Sequence, residues 1–426
     1  MKNELLCGNT NLRIIGTDKF KSNYLSVSFI VPLEERTAAL NTLMLKILKR
    51  GTSRYPTMLA LSKKLEYLYS ADIFTKATCF GEAQVISFSI DMLSNAYALD
   101  ELDILGESAR VLDEIIFSPY TENGLFSAEY FESEKRNLLA EIDAEINNKA
   151  GYALSRLYAH MFAGERYAAA RANAKKIVEE FTNAEVFAHY QNFLKTAKAE
   201  VIFVGDADEE KLKNILEEIF AKRKCAAFAP VSTEVIRTAK SQKEIKEQSK
   251  ATQGNLVIGF RTGTVLADGD YPVFALFNEL FGGSPASRLF MNVREKKSLC
   301  YYCVSAPEAT KGVMFVRAGI ENQNFETAKA AIFAELAAVQ DGKFTADELA
   351  MAKLSLINAY REISDNPQAL QNWYLARALS GIDESPETVI ERVEKITAEE
   401  IVAAANKVTA DTVFFLEGCG GQNEGH

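Results

Sequence analysis

The residues able to do chemistry in this chain form a short list. Glu134 and Glu141 are seven apart, two turns along one face if their segment is helical, and Glu145 follows four later. Two or three carboxylates so placed can hold a hard cation, but Lys135, Arg136 and Lys149 beside them fit a solvated charged face equally well. Histidine is scarce: His160, His189 and His426 are the only three. Neither His-Glu-x-x-His nor its inverse, His-x-x-Glu-His, occurs, so no helical pair of imidazoles is present for zinc. His160 sits among apolar neighbours and His189 beside Tyr190, settings that suit packed side chains, and His426 is the terminal residue. Six cysteines (Cys7, Cys79, Cys225, Cys300, Cys303 and Cys419) are scattered as reduced thiols would be, not as a disulfide framework. Cys300-Tyr-Tyr-Cys303 is a lone CxxC. In extended backbone its thiols point to opposite faces, so a structural role is expected, not a metal or redox pair. Phe281-Gly-Gly-Ser-Pro-Ala-Ser287 has neither GxGxxG nor a following Gly-Lys-Ser/Thr. It reads as a tight turn with Ser287 near the start of a helix over 288–297, not as a phosphate cradle.

The elements that must carry these residues come in two sets. Phe126-Ser-Ala-Glu-Tyr-Phe-x-x-x-Lys135 recurs as Phe344-Thr-Ala-Asp-Glu-Leu-x-x-x-Lys353, an offset of 218. The β-type run Leu25–Val31 is echoed by Leu256–Phe260, Val85–Ile90 by Val313–Ile320, and Phe181-Thr-Asn-Ala-Glu185 by Ile396-Thr-Ala-Glu-Glu400, always in the same order. Collinear matches of this kind mark an internal duplication. They predict homologous domains over 1–220 and 254–426 with a polar linker over 221–253. Each copy reads strand, helix, strand, long helices, strand, and its strands alternate apolar and polar residues. That pattern predicts an α+β fold whose mainly antiparallel sheets pack helices on one face and water on the other. The 426 residues carry a net charge of −10, which excludes the basic footprint of a nucleic-acid binder and disfavours an anionic membrane surface. No run of about 18 apolar residues is present to span a bilayer. MKNELLCGNTNLRII has no apolar signal core, so a cytoplasmic location is expected.

Three stretches carry a family resemblance: the helix-like segment ending in Leu48-Lys-Arg-Gly-Thr52, the Arg136-Asn-x-x-x-Glu141-Ile segment, and Ser287-Arg-Leu-Phe-x-x-Val-Arg294-Glu-Lys-Lys-Ser-Leu-Cys-Tyr301. Together they resemble the insulinase-type metallopeptidases, which include pitrilysin and the mitochondrial processing peptidases. Lys64-Leu-Glu-Tyr-Leu-Tyr69 is similar to a bacterial two-domain, YmfF-like subgroup. The resemblance spans nearly the whole chain and implies the two-domain metallohydrolase fold of that family. It also implies that the zinc motif His-x-x-Glu-His falls on Thr42, Leu45 and Lys46, none of which can serve: threonine and leucine are not zinc ligands, and an ammonium carries the wrong charge. In the family a glutamate at the Glu141 position is the third zinc ligand, with Glu134 supporting it. Arg294 and Tyr301 match an Arg-x6-Tyr pair that reaches the bound peptide. A guanidinium suits a substrate carbonyl or carboxylate, and a phenol suits a developing oxyanion.

The expectation that follows is a chain that is not an enzyme on its own and holds no metal. It would pair with a zinc-bearing homologue and contribute Arg294 and Tyr301 to a heterodimeric peptidase acting on unfolded peptide, bound by strand addition. The alternative is a non-enzymatic assembly or peptide-binding scaffold of the same fold, with a second copy of itself as partner in a homodimer. A hydrolase built from Glu134, Glu141 and His160 ranks last.

Overall fold

A computed structural model describes residues 2–170, 174–223 and 230–420. Cys225 and His426 lie outside the described residues. In chain order the elements are β1 (Lys2–Cys7), β2 (Thr10–Gly16), β3 (Ser22–Pro32), α1 (Glu35–Leu48), α2 (Met58–Tyr67), β4 (Asp72–Phe80), β5 (Ala83–Leu93) and α3 (Ile104–Phe117). The short pair β6 (Thr121–Glu122) and β7 (Leu125–Phe126) follows, then α4 (Ala128–Ala144), α5 (Lys149–Met161), α6 (Ala174–Glu180), α7 (Asn183–Thr196), β8 (Lys198–Gly205) and α8 (Glu209–Ala221). The second set is β9 (Lys243–Ser249), β10 (Gly254–Arg261), α9 (Tyr271–Asn278), β11 (Tyr302–Glu308), β12 (Val313–Ile320) and α10 (Phe325–Gln340). It closes with α11 (Ala346–Ile363), α12 (Pro367–Ser380), α13 (Pro386–Lys395), α14 (Ala398–Asn406) and β13 (Thr409–Gly418). Between α9 and β11 run two π-helical segments, Glu279–Gly283 and Leu289–Lys296.

The duplication is written in the sheet order. One sheet runs β1-β2-β8-β3-β5-β4, the other β11-β12-β10-β13-β9. Reversing the second to β9-β13-β10-β12-β11 aligns it strand for strand with β2-β8-β3-β5-β4. Even the one parallel contact is repeated, β2 with β8 and β9 with β13, while all other neighbours are antiparallel. The repeated Phe-Ser/Thr signature opens α4 in one copy and α11 in the other. Thr345 and Glu348 form a full capping box at α11, which satisfies two of the helix's otherwise orphaned N–H groups. Within the stretch read as linker, Lys243–Ser249 forms strand β9.

Two compact units result: Met1–Asp143 with Ala169–Ser232 and Asp365–Ala376, and Ala144–Ala168 with Thr233–Ser364 and Arg377–His426. Each copy therefore gives one helical piece to the other unit, α5 to the second and most of α12 to the first. The destination explains a departure from the expected pattern. Ser26 and Ser28, on the face of β3 expected to be wet, are fully buried, and Ser28 Oγ lies 2.8 Å from Ser87 Oγ. Tyr24 shares that face by period-two geometry and hydrogen-bonds Gln368 of α12, so the received helix covers it. In the second unit α5 lies on β10 at Gly259, where an added Cβ would come within 2.5 Å of Met161 Sδ and 3.2 Å of Leu157 Cδ2. On the opposite face of the first sheet, Phe29 packs at 5.1 Å on Phe193 of α7 and 6.2 Å on Phe88 of β5.

Candidate functional site

Helix α1 carries the three positions that the resemblance aligns with the zinc motif, and each side chain is committed elsewhere. Thr42 Oγ1 donates to the Ala38 carbonyl at 2.9 Å, one turn back on its own helix. Leu45 is buried in the core of the first unit. Lys46 Nζ donates to Glu141 Oε1 at 2.7 Å, although the glutamate side chain is 59% exposed. One turn on, Arg50 Nη1 donates to Glu134 Oε1 at 2.6 Å, and its guanidinium lies 4.9 Å from the Tyr130 ring centre. Glu134 is only 10% exposed, and Asn137 Nδ2 approaches its other oxygen at 3.4 Å. Lys46 in the last turn of α1 and Arg50, just past its C-cap, thus meet two carboxylates seven apart on α4. Glu145 has left that helix for a short 3₁₀ turn, Glu145–Asn147.

These residues do not fit a zinc ion. The two glutamates a cation would need are neutralised by ammonium and guanidinium groups in hydrogen-bond contact. Among the described residues, no group of three or more His, Cys, Asp or Glu side chains is placed to hold a metal. His160 is engaged in the second unit, with Nε2 3.3 Å from Glu247 Oε1, Arg156 paired to the same carboxylate and the ring stacked on Phe414. His189 Nε2 lies 2.7 Å from Asn41 Oδ1, and Asn41 Nδ2 donates to Gln84 Oε1 at 2.7 Å, a buried chain tying α7, α1 and β5 together. Burial lowers the His189 pKa to about 4, only partly opposed by Glu185, so the imidazole is neutral at pH 7.

The second unit brings its predicted pair to one place. Arg294 lies in the π-helical segment Leu289–Lys296, a wide-turn geometry that commonly accompanies function. Arg288 anchors this segment: Nε donates to Glu335 at 3.0 Å and Nη1 to Glu348 at 2.8 Å, on α10 and α11. Arg294 stacks over the Phe290 ring at 4.5 Å and keeps 39% of its side chain exposed. Ser298, at φ 52, then reverses the chain in the left-handed region. The Tyr301 amide donates to the Gly319 carbonyl at 2.8 Å, which fixes the backbone while leaving Tyr301 60% exposed. Arg294 and Tyr301 line one open pocket of about 400 Å³ with Glu295, Ser298, Leu299, Cys300, Glu321 and Asn324.

The family resemblance singles out Arg294 and Tyr301, and Cys300 is expected only in a structural role, while Glu321 and Asn324 are passed over because their place at the pocket depends on β12 returning beside β11. Arg50 is passed over too, although its position one turn after Lys46 is a usable signal. Phe281–Ser287 is no phosphate loop. A Cβ at Gly282 would meet Leu289 Cδ1 at 2.6 Å and Ser305 Oγ at 2.7 Å, so that glycine serves close packing. The cysteines depart from expectation. β11 begins only at Tyr302, and the Cys300 and Cys303 thiols interact across the bend before it.

Comparison with known proteins defines the class, the inactive metallopeptidase homologues. Residues 180–356 match the family described as the peptidase M16 inactive domain. Over 414 residues the chain is 30% identical to the "Probable inactive metalloprotease YmfF" of Bacillus subtilis (strain 168), covering 97% of each. An "Uncharacterized zinc protease" of Rickettsia felis is 23% identical over 352 residues, 78% of this chain and 82% of that one. A conserved protein from Enterococcus faecalis V583 has a crystal structure that superposes with TM-score 0.88 at 28% identity, covering 98% of each chain. The peptidase M16 inactive domain from Pseudomonas fluorescens gives 0.81 at 18%, covering 99% of each. The chain belongs to the M16, or insulinase-type, peptidase family, as an inactive homologue within it. Among the described residues, no helix is long and apolar enough to cross a membrane.

Proposed function

We propose that this chain is the non-catalytic subunit of a two-subunit peptidase. A zinc-bearing homologue supplies metal and base, and this chain supplies Arg294 and Tyr301 to an unfolded peptide substrate. The observation that carries the reading is the contrast between the two units. Lys46 and Arg50 neutralise both glutamates in the first, while Arg294 and Tyr301 remain exposed in one open pocket of the second. A guanidinium held by ring stacking and a phenol on a fixed backbone are pre-set to hold a peptide carbonyl or carboxylate. The neighbouring edge strand β11 offers backbone groups to an extended chain.

The test mixes the purified chain with its zinc-bearing homologue and follows cleavage of an unstructured peptide. Activity is expected only in the mixture. Arg294→Ala and Tyr301→Phe are each expected to lower kcat/KM by about tenfold or more, with the complex intact by size exclusion. Full activity in both variants overturns the role of the pair, and a self-associating chain that binds peptide without any such partner favours the scaffold.

A further inference from the structure

Cys300 and Cys303 form a site that the peptidase reading does not use. Cys303 is completely buried on β11, opposite Ala318 of β12. Cys300 is half-buried and lines the pocket beside Arg294 and Tyr301. One thiol thus lines a solvent-accessible pocket together with a guanidinium, and the second, buried three residues on, interacts with it. An accessible thiol acted on by a guanidinium, with a buried thiol as its partner, is the arrangement of an attacking and a resolving cysteine. The charged groups around the pocket are Arg294, Glu295 and Glu321, of which Arg294 acts on the Cys300 sulfur.

We infer that Cys300 and Cys303 are a reversible thiol–disulfide pair, with Cys300 the peroxide-reactive thiol and Cys303 the resolving one. Hydrogen peroxide is the oxidant. The Cys300 thiolate attacks it: an S–O bond forms, the O–O bond breaks, sulfur is oxidised to the sulfenic acid and hydroxide leaves. Cys303, giving up its proton to that hydroxide, then attacks the Cys300 sulfur. The S–S bond forms, the S–O bond breaks and the departing oxygen takes a proton. Two thiols and one peroxide give one disulfide and two waters. The thiol balance supports this direction. The hydrogen bond with Cys303 holds Cys300 below its ordinary pKa against the effect of burial, Arg294 adds to it, and the same bond together with burial raises Cys303.

The residues that the bridge would enclose are Tyr301 and Tyr302, whose backbone carries the Tyr301 amide bond to Gly319 and the first β11–β12 pairing at Tyr302. Any effect on peptide binding rests on the proposed role of Tyr301; the thiol chemistry does not.

The experiment treats the full chain with one to a few equivalents of hydrogen peroxide, then blocks free thiols and maps them by mass spectrometry. A Cys300–Cys303 bridge reversed by dithiothreitol is expected, with Cys7, Cys79 and Cys419 still alkylated. Cys303→Ala should instead leave a Cys300 sulfenic acid captured by dimedone, and Cys300→Ser should leave Cys303 reduced. In the untreated protein, Cys300 should react with iodoacetamide at pH 7 about tenfold faster than Cys7 or Cys79, and Arg294→Gln should shift its pH midpoint upward. Equal oxidation of all cysteines, or both thiols remaining free, overturns the inference even if the variants fold poorly, because the wild-type map alone decides it. Disulfide formation without any change in peptide binding sinks the role of Tyr301 and leaves the thiol pair standing.

Discussion

At the residue scale, two cations face the two glutamates that the family resemblance aligns with a metal site, and the two pairs differ in weight. Glu134 is nearly buried, so removing Arg50 strands a carboxylate in low dielectric; Glu141 is well exposed, so water replaces Lys46 easily. Arg50→Ala is expected to destabilise the fold by about 2–4 kcal/mol and Lys46→Ala by less than about 1 kcal/mol, read from urea midpoints at constant slope. Equal effects would mean that Glu134 finds another partner. His189 gives a pH prediction of definite sign. Its folded pKa, about 4, lies below the unfolded value near 6.5. The neutral form stabilises the fold fully above pH 6.5, and that stability is lost as pH falls toward 4, up to about 3 kcal/mol. Wild type should therefore lose stability between pH 6.5 and 4.5 more steeply than His189→Gln; parallel curves would place the acid sensitivity in the carboxylates alone.

At the element scale, the duplication was legible because strands and caps are local: period-two runs, the Phe-Thr-Ala signature before α11 and the Thr345/Glu348 box all lie within a few residues. The departure from the family's zinc motif at Thr42, Leu45 and Lys46 was read from the family resemblance, not from local periodicity. What could not be read is where α5 and α12 go. Their sequences specify helices, but the sheet face each covers is chosen by a partner more than 80 residues away. The alternation in β3 therefore promised a wet serine face, where the fold buries it. The Cys300–Cys303 geometry was hidden likewise, because it depends on a bend set by Ser298 and by β12. Gly259 is the local trace of the exchange, a glycine inside a central strand that leaves room for α5. Gly259→Val is expected to push Met161 and Leu157 off the sheet and cost about 2–3 kcal/mol. Protease sensitivity near α5 should rise with it, and a variant as stable as wild type would show that α5 is not held at this point.

At the scale of the whole molecule, the exchange of α5 and α12 has an energetic consequence. The first unit takes residues 365–376 from the far end of the chain, and the second takes 144–168 from the near end. Leu370, Trp373, Tyr374 and Leu375 of α12 are all buried. Neither half of the chain thus contains everything needed to cover its own sheet, and losing a helix that buries several large side chains removes several kcal/mol, at about 1.5–3 kcal/mol for each. That is comparable with the whole stability of a domain, about 5–15 kcal/mol. The two units should therefore unfold as one. Trp373 is the only tryptophan and lies on the exchanged helix, so its emission reports docking of α12 while far-UV circular dichroism reports both units. The two urea transitions are expected to coincide. Fragments 1–232 and 233–426 should each be largely unfolded alone, with red-shifted Trp373 emission in the second, and mixing them should restore the blue shift as α12 regains its sheet. Two separated transitions, or a second fragment whose tryptophan is buried without the first, would mean that each copy of the duplication folds by itself and the exchanged helices only decorate it.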